Sequence, residues 1–236
     1  LRSKDFKGLF KKSDIYLRES RLEVGDIYTF EFGFYNHVYW IPGQHAIFTF
    51  PDKKIHGKSF RAFSIASVKS EGKIMISTRV GDSPSSFKQA LIELKPGEPM
   101  NMSGPFGWFY IRDYERPTAM IAGGIGITPV RALIKNIQLE CRAFPSAKLI
   151  FSDSRGSFAY KKEIEDAQND IPNFNSAFVT DRISFNFEIE SFVQNHGNSA
   201  MYFLSGSPAM IMAVRKQLKS LGISRSNIVN DPFFGY

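Results

Sequence analysis

The chain has one cysteine, Cys141, among 236 residues. It cannot close an intramolecular disulfide, and the chain alone cannot supply the four sulfur ligands of a structural zinc or an iron–sulfur cluster. If electrons pass through this protein, they travel on some other group. Histidine is scarce as well: His37, His45, His56 and His196 show no metal-ligand spacing, so no metal site is expected. Long apolar runs are missing too. Gly, Pro or Arg interrupts each of them well short of the roughly 20 residues a membrane helix needs, and no basic-then-apolar leader opens the chain. The expectation is a soluble, cytoplasmic chain; Leu1 in place of an initiator Met fits a processed chain or a part of a longer one. Internal repeats and low-complexity tracts are absent, which excludes solenoids.

What is present is an ordinary globular composition, 43% hydrophobic and 22% charged. The length suits one large domain or two small ones, with a core that needs no disulfide. Lys and Arg number 30 against 23 Asp and Glu, a net charge of +7 that favours acidic partners. The basic residues are scattered, and no zinc-finger, RNP or helix-turn-helix signature appears, so nucleic acid is not an expected partner.

Residues 1–114 read as an antiparallel β-barrel. Runs such as Asp26 to Phe32, Ala46 to Phe50 and Lys73 to Arg79 alternate apolar and polar residues and end in Gly, Pro or Asp turn chemistry. One helix is expected there, Ser85 to Leu94, capped by serine and apolar at Phe87, Leu91 and Leu94. After a switch at Asp113 to Pro117, residues 115–236 change character. A strand from Thr118 leads through glycines to a helix, Pro129 to Cys141, and then to the strand Ala147 to Phe151. Next come a helix Tyr160 to Asn169, a strand Ser176 to Thr180, a helix Phe185 to Asn195, a strand Ala200 to Ser205 and a helix Pro208 to Leu221. Alternation of this kind predicts an α/β domain with a parallel sheet.

Four segments carry candidate chemistry. Gly123-Gly-Ile-Gly-Ile-Thr-Pro129 lies between a strand and a helix, where glycines admit a close backbone approach to a pyrophosphate and the helix start offers unpaired N–H groups. Pro129 replaces the third glycine of the Gly-x-Gly-x-x-Gly fingerprint, and a bare strand-to-helix turn also accounts for the segment. Leu204-Ser-Gly-Ser-Pro-Ala209 has the same placement, and two such loops at the carboxyl ends of parallel strands would share one crevice. In the first half, Arg61-Ala-Phe-Ser-Ile-Ala-Ser67 sets Arg61, Phe63 and Ile65 on one face and Ser64 on the other. An arginine, an aromatic ring and a hydroxyl can clamp a phosphate, stack and hydrogen-bond, although an edge strand with a solvated arginine fits equally. Gly81-Asp-Ser-Pro-Ser-Ser-Phe87 offers a further anion site at a helix start.

With these residues in hand, the sequence resembles the ferredoxin–NADP reductase-like flavoproteins over nearly its whole length. Arg61-Ala62-Phe63-Ser64 is similar to their Arg-x-Tyr-Ser/Thr flavin motif, Pro42-Gly43-Gln44 to their Pro-Gly-Gln turn, and Ser103 to Phe109 to the Gly-Pro-Phe-Gly segment that ends the barrel. Gly123 to Pro129 is similar to their nucleotide loop and Leu204 to Met210 to their Cys-Gly-x-Pro segment beside the nicotinamide. The resemblance implies a barrel that holds FAD, an α/β domain that holds NADH or NADPH, and hydride passing from nicotinamide C4 to flavin N5.

Carried over position by position, the resemblance gives Arg61 the FAD phosphate, Phe63 the place beside the isoalloxazine, and Ser64 a hydrogen bond near N5. Thr78, Arg79, Val80 and Gly81 would line the ribityl or phosphate, and Ser85 and Ser86 the pyrophosphate. Gly123, Gly124, Gly126, Thr128 and Pro129 would hold the nicotinamide dinucleotide, with Gly206, Ser207 and Pro208. Ser64 and Ser205 are the candidate catalytic residues. Thr180-Asp181-Arg182 falls where the family reads the adenosine ribose: Asp181 favours NADH, while Arg182 or Arg155 could hold a 2′-phosphate. Ser205 departs from the family's Cys and Phe63 from its Tyr. At the C-terminus Tyr236 or Phe234 could cover the flavin, or pack as an ordinary tail.

The implied partner is an external electron acceptor: a ferredoxin, flavodoxin or other acidic carrier, or a membrane haem, quinone or ferric-iron module. Alternatives are a reductase domain of a larger membrane redox protein and a non-catalytic flavin- or nucleotide-binding regulatory module. The stretch Lys4 to Leu17 could rest on an anionic membrane surface or stand as a solvated arm.

Overall fold

The computed structural model describes Asp5, Gly8 and residues 10–231. Tyr236 and Phe234 lie outside the described residues, as do Lys4, Phe6, Lys7 and Leu9 of the Lys4 to Leu17 stretch, whose later residues enter the first strand. The chain divides between Tyr110 and Ile111 into two compact units.

The first unit is the expected antiparallel architecture, a curled six-stranded sheet of order β4-β3-β6-β1-β2-β5. Its strands are β1 (Lys12–Val24), β2 (Ile27–Phe34), β3 (His45–Thr49), β4 (Phe60–Ser64), β5 (Ile74–Arg79) and β6 (Pro99–Phe106), with helix α1 (Ser86–Ile92) between β5 and β6. Alternation turns Phe30, Phe32, Phe48 and Phe63 into one core with Phe87 and Leu91 of α1. Just beyond β4 the two edges of the sheet meet. Ala66 N–H donates to the Met75 carbonyl at 2.7 Å, and Ser67 Oγ bridges the Lys73 carbonyl and the Met75 amide at 2.7 and 2.9 Å. Pairing of this kind leaves fewer open ladder groups at the edge. The Pro42-Gly43-Gln44 turn is pinned by Gln44, whose side chain accepts from Ile41 N–H at 2.9 Å and donates to the Gly107 carbonyl at 3.3 Å.

The second unit holds five parallel strands in the order β11-β10-β7-β8-β9. They are β7 (Thr118–Gly123), β8 (Ala147–Ser152), β9 (Phe174–Val179), β10 (Met201–Ser205) and β11 (Ile228–Asn230), with α2 (Ile127–Leu139), α3 (Lys161–Asp170), α4 (Arg182–His196) and α5 (Pro208–Ser220) between them. Helices α4 and α5 supply Phe185, Ile189, Val214 and Leu218 to a core with Ile121, Ile150, Tyr202 and Leu204. A bidentate Arg131–Glu163 pair, at 2.6 and 3.0 Å, ties α2 to α3. The chain runs outward from β7 to β9 and then returns to the other side of β7 as β10. The carboxyl ends of β7 and β10 therefore flank a topological switch point. Among the described residues no helix is long and apolar enough to cross a membrane, and no cluster of His, Cys, Asp or Glu could hold a metal.

Candidate functional site

At the switch point the two glycine loops pack backbone to backbone. A Cβ at Gly123 would collide with the Met210 sulfur, and one at Gly126 with the Ser205 carbonyl and, at 2.6 Å, the Gly206 amide nitrogen. Gly124 has φ +53, a left-handed conformation glycine adopts without strain. Thr128 is buried and donates its hydroxyl to the Ile125 carbonyl at 3.0 Å, and Pro129 sits in the first turn of α2, where its missing N–H breaks no bond. On the opposite loop, Ser207 caps α5 by accepting from Met210 N–H at 3.2 Å, with Pro208 first in the helix. Ser205 is fully buried, and its hydroxyl donates to Asp231 Oδ2 at 3.4 Å; Asp231 is itself 2% exposed.

Further along the same sheet edge is a cleft of about 720 Å³ whose lining includes Ser154, Thr180, Asp181, Arg182, Met210 and Lys216. Asp181 is the N-cap of α4: its carboxylate accepts from the Ser184 amide at 2.8 Å and the Ser184 hydroxyl at 2.7 Å. These bonds hold its carboxyl below the usual carboxylate range. Arg155 is exposed on the loop after β8, outside the cleft lining, with its backbone N–H on Asp153 Oδ1 at 2.9 Å.

In the first unit, Arg61 and the start of α1 come together. The Arg61 guanidinium donates to Ser85 Oγ at 3.1 Å and lies over the Phe87 ring at 5.4 Å. Ser85 caps α1, and Ser86 Oγ accepts from His56 N–H at 3.1 Å. Phe63 is 9% exposed, its ring 5.7 Å from Phe48 and 6.2 Å from Phe87. Ser64 is buried opposite His45 in the β3–β4 ladder, and Ala62 is half-buried opposite Ile47. Thr78 is buried, Arg79 pairs with Asp26 at 2.5 Å, Val80 N–H donates to the Asp26 carbonyl at 2.8 Å, and Gly81 turns the chain at φ +67.

No family model matches the chain. Among curated proteins it is 29% identical over 208 residues to one subunit of the Na(+)-translocating NADH-quinone reductase of Actinobacillus succinogenes, covering 77% of this chain and 50% of that one. The chain thus spans about half the length of this relative. Among solved structures, a mutant ferredoxin–NADP+ reductase from Plasmodium falciparum in complex with 2′P-AMP superposes with a TM-score of 0.79 at 15% identity, covering 95% of this chain and 98% of that one. The cytochrome b5 reductase domain of Ulva prolifera nitrate reductase gives 0.77 at 18% identity, covering 93% and 97%. The fold is that of the ferredoxin–NADP reductase-like flavoproteins.

Within this reductase-like fold, three residues enter the neighbourhood of the candidate site that sequence reasoning did not assign. Asp231 follows β11 and partners Ser205; Lys216 reaches the cleft from α5; Lys88, in the first turn of α1, donates from Nζ to the Arg79 carbonyl at 2.6 Å. Lys88 alone carried a legible signal, since a cation in the first turn opposes the helix dipole and needs another reason to be there.

Proposed function

We propose that this chain is an FAD-dependent NADH oxidoreductase, with residues 1–114 holding FAD and residues 115–236 holding NADH. The observation that carries the reading is the carboxyl edge of the parallel sheet. It presents a glycine-rich loop at the switch point, where Gly123 and Gly126 have no room for a Cβ, and, on the same edge, a cleft rimmed by an ionised carboxylate at the start of a helix. When bound, the cofactors supply hydride transfer from nicotinamide to flavin and one-electron release to an external acceptor.

The residues present fit both groups. Arg61 and the Ser85 and Ser86 hydroxyls suit a phosphate, and they sit together with no carboxylate of the described residues on Arg61. Phe63, buried with its ring against Phe48 and Phe87, backs the flavin site from the core rather than stacking openly on it, and Ser64 beside it provides a hydroxyl for the flavin's reactive edge. Gly123, Gly124 and Gly126 let the backbone meet the dinucleotide phosphates, and Thr128, bonded within its own turn, sets the start of α2. Asp181 reads the adenosine ribose: a carboxylate accepts from a 2′-hydroxyl and repels a 2′-phosphate, so NADH is preferred to NADPH. Ser205 and Asp231 lie at the nicotinamide end, where the serine hydroxyl, oriented by the buried carboxylate, stands in for the family's thiol.

The physiological acceptor is an acidic carrier protein or a membrane redox module. The second is favoured by the likeness to a component of a Na(+)-translocating NADH-quinone reductase, and it makes this chain the reductase portion of a larger assembly at a membrane surface. Reconstitution tests the cofactor assignment: after incubation with FAD and desalting, one flavin per chain should remain, and NADH should bind the flavin-loaded protein with an affinity that NADPH does not match. A chain that keeps no flavin would contradict the reading.

A further inference from the structure

Among the described residues, two cations near the start of α1 lack an acidic partner. Besides Ser85 Oγ, the Arg61 guanidinium donates, among the described residues, to the carbonyls of Lys58 and Phe60, at 2.8 and 2.9 Å. Lys88 Nζ donates to the Arg79 carbonyl at 2.6 Å. Neither forms an ion pair with a carboxylate among the described residues, and Asp26, the acid that Lys88 feels, is already paired with Arg79 at 2.5 Å. Ser85 Oγ joins the pair, since it accepts from both Arg61 and the Lys88 backbone N–H, at 3.1 and 3.5 Å. Burial, and then the Arg61 charge, hold the Lys88 ammonium below its ordinary pKa, and burial lowers that of Arg61.

Like charges held close on backbone carbonyls are poorly compensated, and an anion touching both would relieve their mutual repulsion. The Ser85 and Ser86 hydroxyls beside them are donors for phosphoryl oxygens. Two cations and two hydroxyls match the charge and oxygen count of two linked phosphoryl groups better than a neutral or singly charged ligand. We propose that Lys88 is a second phosphate-binding cation that acts with Arg61 on the diphosphate of the flavin dinucleotide. The inference rests on the FAD reading above and adds to it a residue that the flavin motif does not contain.

The test is a titration of the full chain and its Lys88→Met and Lys88→Arg variants with FAD, riboflavin and inorganic pyrophosphate. Loss of a charge-assisted contact predicts FAD binding weakened about tenfold or more in Lys88→Met, with riboflavin affinity unchanged and Lys88→Arg close to the parent. Pyrophosphate should compete with FAD in the parent and about tenfold less well in Lys88→Met. Equal FAD affinity in the parent and Lys88→Met overturns the proposal and leaves the FAD reading standing. Equal losses for FAD and riboflavin also overturn it, because the change is then one of folding or packing. If the parent binds no FAD, the FAD reading fails by itself. Pyrophosphate then decides: Lys88-dependent binding supports a diphosphate site, and its absence overturns it.

Discussion

Acidification should act first on His45. Its imidazole is 4% exposed and stands edge-on to Phe106 with ring centroids 4.3 Å apart, and a Cβ at Gly107 would come within 2.8 Å of the ring. Burial pushes its pKa from 6.5 down to about 4. The sign follows from which state binds the proton. Between pH 6.5 and 4 the unfolded chain is protonated at this histidine and the folded chain is not, so stability is full above about pH 6.5 and falls as the pH drops towards 4. The gap between the two values corresponds to roughly 3 kcal/mol, of which roughly 2 kcal/mol is lost by pH 5. That is a large share of the roughly 5–15 kcal/mol typical of a folded protein. Urea unfolding followed by tryptophan fluorescence at pH 7.5, 6 and 5 measures it, with His45→Phe as the non-titrating comparison. The parent should lose about 2 kcal/mol across this range relative to the variant. Burial lowers His196 as well, but that contribution is common to both proteins. Glu31 would be raised by its burial, yet hydrogen bonds from Lys73 and Arg21 hold it low, so its contribution is lost only below the range measured. Parallel pH profiles for parent and variant would refute the reasoning. Because His45 pairs with Ser64 across β3 and β4, flavin release driven by protonation of the folded chain should set in only near pH 4, where the folded imidazole takes up its proton.

Three further changes probe the sheet edge. Gly126→Ala places a methyl group against the Ser205 carbonyl and the Gly206 amide; overpacking there should cost about 1–3 kcal/mol in urea unfolding and weaken NADH binding. Asp181→Asn keeps a capping acceptor for α4 but removes the charge, so the ratio of kcat/KM for NADH over NADPH should fall about tenfold, with thermal stability little changed. Ser205→Ala removes the hydroxyl held by Asp231 and should slow flavin reduction about five- to tenfold in stopped flow while NADH affinity stays the same, the pattern of an interaction made in the transition state.

Much of the fold was legible because its periodicities are clean. β7 is a buried run, Ala119 to Ala122, with no polar interruption, as a central parallel strand requires. β1 was harder to read: after Leu17 its charged residues Arg18, Glu19, Arg21 and Glu23 mask the alternation, and Arg21 instead pairs with Glu19, Glu23 and the buried Glu31 of β2. β11 is three residues long and pairs only with β10, too short to leave a pattern. At the candidate site, the glycine loops and Arg61 were readable because each needs a particular residue type at a fixed spacing. Asp231 and Lys216 were not, because what joins them to the site is proximity in space between elements distant in the chain, and Lys88 left only the signal of a cation in the first turn of a helix. Phe63 shows the limit of alternation: it shares a strand face with Arg61, yet its ring packs into the core with Phe48 and Phe87 while the arginine reaches Ser85.

The central claim is tested most directly by an anaerobic absorbance spectrum of the FAD-loaded, desalted protein before and after separate additions of NADH and NADPH. The account predicts flavin bands that bleach promptly with NADH and much more slowly with NADPH. Retained flavin that neither nucleotide reduces would contradict it and leave a flavin-binding module without turnover.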